Sequence, residues 1–267
     1  MSAQAPPVGP RLAGKPERLS IAWLSRRDRL VVLVGLTGIV GLSWAYLYVS
    51  AIEMDAMMML KPWTGLDFTL MLLMWAIMMV AMMVPSVTPV VLLYAAVVRK
   101  IAPQQHYGAS VSAFVLGYVI AWLVFSLGAT FLQWALEQLA LLSPMMASST
   151  YVFGGLLLIA AGVYQWTPAK DACLKHCRTP LEFIARSWRV GPRGALRMGT
   201  VHGFYCIGCC WVLMGLLFVG GVMNLLWVAV IALFVLLEKV APMGTVFGRR
   251  LSGLGLIVAG TLFIGLW

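Results

Sequence analysis

The sequence predicts an all-α, polytopic helical membrane protein with about seven transmembrane helices and a cytoplasmic N-terminus. Of its 267 residues, 62% are apolar and only 10% charged, whereas a soluble domain holds about 45–50% and about 25%. That imbalance excludes a soluble enzyme. The mean hydropathy is +0.93, and the apolar residues stand in long runs that are apolar on every side, without helical or strand periodicity. Basic residues, moreover, alternate between many and few in the successive connections between the runs.

A hydrocarbon core about 30 Å thick needs about 20 helical residues, and seven segments meet or approach that length. The first, Leu30–Ser50, is too long for a signal-peptide core and lacks a small-x-small cleavage site, so it is expected to remain as an anchor. Leu66–Val98 is long enough to tilt or bend, and Pro85 and Pro89 supply its kink points. Val111–Gln133, Tyr151–Thr167, Met198–Gly220 and Leu225–Val240 follow, and the short, Gly-rich Leu251–Trp267 closes the set. Residues 1–29 read as a disordered basic cytoplasmic tail, because the first 20 hold four Pro and three basic residues. Residues 30–267 read as one transmembrane domain with a cytoplasmic connection at 168–197.

Lys and Arg in the successive connections, starting before the first span, number 6, 1, 2, 0, 7, 0 and 3. Eighteen of 19 thus fall on one side, which the positive-inside rule makes cytoplasmic. The net charge of +10 is a topology signal of a chain whose partner is the lipid bilayer, with no nucleic-acid partner expected. Trp44, Tyr46, Tyr48, Trp63, Trp134, Trp227 and Trp267 fall at the opposite, outer ends, where amphipathic rings suit the headgroups.

All five cysteines and two of three histidines lie between Cys173 and Cys210. Cys173-x-x-His176-Cys177 sits in the basic connection, and as a helix its three residues share a face. His202, Cys206, Cys209 and Cys210 lie in the inner half of the fifth span, where about 100° per residue gathers them within about a 100° arc. Thiolates and imidazoles of this kind bind zinc or monovalent copper. The competing readings are inert buried cysteines and a structural zinc clip. A disulfide fits poorly with a cytoplasmic face and an odd count. His106 stands alone, as an interfacial residue.

Methionine is the second anomaly, with 17 residues. Met54, Met57, Met58 and Met59 lie in the outer connection, and Met71, Met74, Met78 and Met82 form a ladder about 16 Å long on one face of the second span. Thioethers are soft and uncharged, so they suit monovalent copper at lipid depth, although Met also serves as flexible packing. Glu238 and Lys239, at the inner end of the sixth span, and Pro85 and Pro89, which free backbone carbonyls, are gating or structural candidates. The two charges are close enough to the interface to snorkel. Gly199-x3-Gly203 would let another helix approach the ligand face closely.

Met82–Ala95 (MMVPSVTPVVLLYA), Tyr164–Pro180 (YQWTPAKDACLKHCRTP), His202–Met214 (HGFYCIGCCWVLM) and the LLEKVAP run Leu236–Pro242 resemble a prokaryotic domain-of-unknown-function family described as predicted metal-binding integral membrane proteins. The resemblance spans roughly Trp63 to Pro242. It implies a prokaryotic cytoplasmic membrane location and metal binding at Cys173, His176, Cys177, His202, Cys206, Cys209 and Cys210, but neither a reaction nor a named metal.

Ligand softness therefore decides the leading expectation, a metal-binding membrane protein that transports or delivers copper(I), favoured over zinc. No phosphate-cradling loop is present for ATP-driven transport, and no catalytic residue is assigned. A metallochaperone, a membrane-complex partner or a second copy of the chain would be its associates. Two alternatives stand beside it. One is a membrane thiol-disulfide oxidoreductase using Cys206 and Cys209; the other is a non-catalytic accessory subunit of a membrane complex with a structural zinc.

Overall fold

The computed structural model describes residues 24–57, 63–101, 107–143, 146–148, 150–240 and 246–265. Of the disordered tail expected at residues 1–29, residues 1–23 lie outside the described residues, as do Met58, Met59, His106, Trp267 and the side chains of Met54 and Met57, whereas residues 26–29 already form the first turn of a helix. The architecture is a helical bundle: α1 (Arg26–Met57), α2 (Gly65–Ile101), α3 (Tyr107–Gln138), α4 (Tyr151–Tyr164), α5 (Pro168–Arg178), α6 (Pro180–Ser187), α7 (Gly191–Gly215), α8 (Leu217–Gly220), α9 (Leu225–Val240) and α10 (Val246–Gly265).

Local sequence explains where the helices begin. Ser25 and Asp28 open α1, with the Asp28 N–H donating to Ser25 Oγ at 3.1 Å. Thr64 and Asp67 form a reciprocal capping box for α2: the Thr64 N–H donates to Asp67 Oδ2 at 2.8 Å and the Asp67 N–H to Thr64 Oγ1 at 3.3 Å. The fourth apolar run ends at Tyr164, because Thr167 caps a new helix with Pro168 in its first turn. α4 and α5 consequently meet at a 67° bend.

Among the described residues, five helical segments are long and apolar enough to cross a membrane, and a sixth if the bent α4–α5 pair counts as one. The two remaining expected spans are shorter, with 14 residues in α4 and 16 in α9. Large apolar side chains cover the outside of the bundle, including Val34, Leu42, Phe131, Leu226, Leu251 and Leu262. Such a surface is compatible with a membrane protein.

α2 forms the core, flanked by α1, α3 and α9. It remains helical through Pro85 and Pro89, which have no N–H to give to the carbonyls four residues back. Hydroxyl groups serve the neighbouring carbonyls: Ser86 Oγ donates to Met83 O at 2.8 Å and Thr88 Oγ1 to Val84 O at 2.9 Å. The ladder residues Met74, Met78 and Met82 are buried, with Met79 and Met83 beside them, and Met71 is half-buried.

Two helix pairs close on glycine. A Cβ on Gly199 would lie 1.9 Å from the Phe114 carbonyl oxygen, and one on Gly203 would lie 2.6 Å from Ala121 Cβ. Thus α7 meets α3 backbone to backbone, the close approach that Gly199-x3-Gly203 foretells. Gly155 and Gly162 of α4 meet Gly260 and Gly253 of α10 in the same way.

Candidate metal centre

The two cysteine groups, separated by 28 residues between Cys177 and Cys206, come together where α5 lies across α7. Thr167 Oγ1 accepts the Lys170 N–H and sets the start of α5. One turn apart, Cys173 and Cys177 then face α7. Cys173 rests on Gly208, its sulfur 2.6 Å from where a Cβ there would stand. The Tyr164 hydroxyl donates to the Gly208 carbonyl, so the end of α4 and the face of α5 grip the same point of α7. Cys177, one turn further along α5, is brought to the side of α7 that carries Cys206 and Cys209.

On α7, His202, Cys206, Cys209 and Cys210 are all buried, in keeping with a shared inward face. Cys206 is the centre. Its Sγ accepts from Lys239 Nζ at 2.9 Å and lies 3.0 Å from the Tyr118 hydroxyl, which also donates to the Met83 carbonyl at 3.2 Å. Its backbone carbonyl accepts from Cys209 Sγ at 3.0 Å and from Cys210 Sγ at 2.9 Å. The five thiols are free cysteines.

The histidines take different surroundings. His202 sits among the rings of Phe183, Tyr118 and Phe114, with centroids at 5.1, 6.1 and 6.2 Å, and its buried Nδ1 has no hydrogen-bond partner among the described residues. His176 stacks flat on Tyr205 at 4.1 Å, with Nδ1 2.8 Å from the Ala172 carbonyl. Among the described residues, no group of three or more His, Cys, Asp or Glu side chains is arranged to hold a metal ion. The Cys209 and Cys210 thiols donate to the helix carbonyl of Cys206, and Lys239 faces the Cys206 sulfur.

Donor chemistry nevertheless fits a soft ion. Thiols from two packed helices and a buried imidazole with an unused nitrogen are ligand types for monovalent copper or zinc.

Glu238 and Lys239 do not snorkel. Both are buried, because each has a partner inside: Lys170 Nζ lies 2.8 Å from Glu238 Oε2, with side-chain exposures of 0% and 3%, while Lys239 reaches Cys206 and donates to Ser86 Oγ at 3.0 Å. Lys170 is accordingly a buried charge and not one of a solvated basic run. Through Lys239 and Tyr118, the second expected span is joined by side chains to the fifth.

Sequence reasoning missed Tyr118 and Lys170. Nothing in the apolar setting of Tyr118 distinguishes it, whereas a buried Glu238 requires a cation and so points to a Lys or Arg from another element.

Comparison with curated proteins and with solved structures finds no match. A family model described as copper chaperone matches residues 72–263, which include α2 from Leu72 onward, both cysteine groups and the Glu238–Lys239 pair. The chain belongs to the PpoB2 copper chaperone family.

Proposed function

We propose that this protein is an integral protein of the prokaryotic cytoplasmic membrane that handles monovalent copper, holding it on the thiols of α5 and α7 and passing it to or from a partner. The observation that carries this reading is the docking of α5 on α7, which seats Cys173 against Gly208 beside Cys209 and so joins two cysteine groups from separate elements. Copper(I) accepts two thiolates, so Cys206 with Cys177 or Cys209 is the primary pair, while the remaining thiol of these three and those of Cys173 and Cys210 stay protonated and His176 and His202 are further neutral donors. Copper is the cargo of this site.

The Met ladder supports a route between the outer surface and the thiols. Met74, Met78 and Met82 are buried in the core helix, and the adjacent Met83 gives its carbonyl to the tyrosine that touches Cys206. A thioether exchanges copper(I) without carrying a charge into an apolar interior. Met54 and Met57–Met59 would collect the ion outside.

Elemental analysis of the detergent-purified protein tests the reading, with Cys177→Ser and Cys206→Ser/Cys209→Ser variants alongside. About one or two copper ions per chain, lost in both variants, is the expected result. Zinc lost in the same way would favour a structural clip and an accessory role. A protein that carries no metal under anaerobic conditions would favour the thiol-disulfide reading, which draws on the same docking of α5 on α7.

A further inference from the structure

Lys239 is a buried ammonium whose nearest polar partners are a cysteine sulfur and a hydroxyl. The other buried lysine, Lys170, has Glu238 at 2.8 Å. Arg249, also buried, has Asp171 at 2.8 Å. Lys239, 8% exposed, has no carboxylate partner among the described residues; its ammonium faces Cys206 Sγ at 2.9 Å and Ser86 Oγ at 3.0 Å. An uncompensated charge is costly in a low-dielectric interior, so the charges of this pocket must sum close to zero.

Resting on the copper reading above, we infer that Lys239 sets the charge of the ion the site accepts, selecting monovalent over divalent metals. The balance is simple. Two thiolates, Cys206 and one of its neighbours, around a monovalent ion carry a net charge of −1, and the ammonium brings the pocket to zero. A divalent ion on the same two thiolates is already neutral, so Lys239 would then stand as an unpaired buried cation. Softness alone does not separate copper(I) from zinc on thiolates, since both bind them tightly. A fixed positive charge against the sulfur does separate them, because it penalises each added unit of metal charge.

Ser86 completes the device. Its hydroxyl accepts from Lys239 and donates to the Met83 carbonyl at 2.8 Å, so the ammonium is held by α2 and presented to α7. A hydroxyl orients the ammonium without neutralising it, which a carboxylate at the same position would do.

The test uses the full-length protein in detergent, with copper(I) and zinc affinities measured separately by competition against chelators of known strength. Lys239→Gln removes the charge, and Lys239→Arg keeps it. In Lys239→Gln the ratio of copper(I) to zinc affinity should fall by about 100-fold, in line with loss of one member of a buried charge pair, whereas Lys239→Arg should hold most of it. Should Lys239→Gln fail to fold, Ser86→Asp supplies the same test with the lysine in place, since its carboxylate would pair with the ammonium and lower the ratio likewise. An unchanged ratio in the folded variants, or equal weakening of both ions, would overturn the charge rule while leaving copper binding intact. A wild-type protein that binds neither ion would overturn the copper reading, and this inference with it.

Discussion

Lys170 of α5 and Glu238 of α9 form a two-pronged ion pair, Nζ lying 3.0 and 2.8 Å from the two carboxylate oxygens, with both side chains withdrawn from solvent. The pair fastens the short helix that carries Cys173 and Cys177 to the rest of the bundle. Removing one partner leaves an uncompensated buried charge. Lys170→Met should therefore destabilise the protein by about 3–5 kcal/mol, whereas Lys170→Met combined with Glu238→Leu should recover most of the loss. Thermal unfolding in detergent reads both; equal stability of the single and double variants would count against the pair as the fastening.

Gly199 and Gly208 both lie on α7 but face different obstacles. A Cβ at Gly199 meets the backbone of Phe114 at 1.9 Å, so Gly199→Ala must push α3 and α7 apart at a cost of about 1–3 kcal/mol or more. At Gly208 the nearest atom is the Cys173 sulfur, a side chain that can move. Gly208→Ala should leave the fold intact and weaken copper retention, as α5 lifts from the thiols. Unfolding curves and metal content measured on the two variants separate these outcomes.

Tyr118 reaches both the Cys206 sulfur and the Met83 carbonyl. Tyr118→Phe retains the ring and removes the hydroxyl. Losing the hydroxyl 3.0 Å from the sulfur should weaken copper(I) binding by about tenfold. Competition with a copper(I) chelator measures this directly, and an affinity equal to wild type would show that the hydroxyl serves only the helix carbonyl.

Met78 and Met82 are buried on the core helix. Replacing both with Leu conserves volume and apolarity, so stability should change by less than about 1.5 kcal/mol per site. Copper flux into proteoliposomes, or loading of the thiols from the outer side, should fall markedly. Unchanged flux in a folded double variant would make these methionines packing residues.

The all-helical fold and most span positions are legible in the sequence because apolar runs of membrane length leave little choice of structure. The break after Tyr164 is harder to foresee, although Thr167-Pro168 carries its signal: a capping side chain followed by a residue suited to a first helical turn. At the site, the helical offsets of His202, Cys206, Cys209 and Cys210 give their common burial, since that property is local. The docking of α5 on α7 and the reach of Tyr118 depend on how helices pack, which offsets within one helix do not encode. Lys239 is the instructive case. Proximity to the end of α9 made it look free to reach water, but the sulfur and hydroxyl it meets come from two other helices.

Glu238 and Lys239 are neighbours in the chain, and about 100° of helical rotation aims one at α5 and the other at α7 and α2. Both counter-charges therefore arrive together, and they arrive late. All five cysteines and Lys170 emerge from the ribosome before α9 does. A nascent chain that stops short of residue 238 holds every cysteine but neither the carboxylate for Lys170 nor the ammonium for Cys206. Completion of α9 is thus the moment in synthesis at which both polar partners of the site become available.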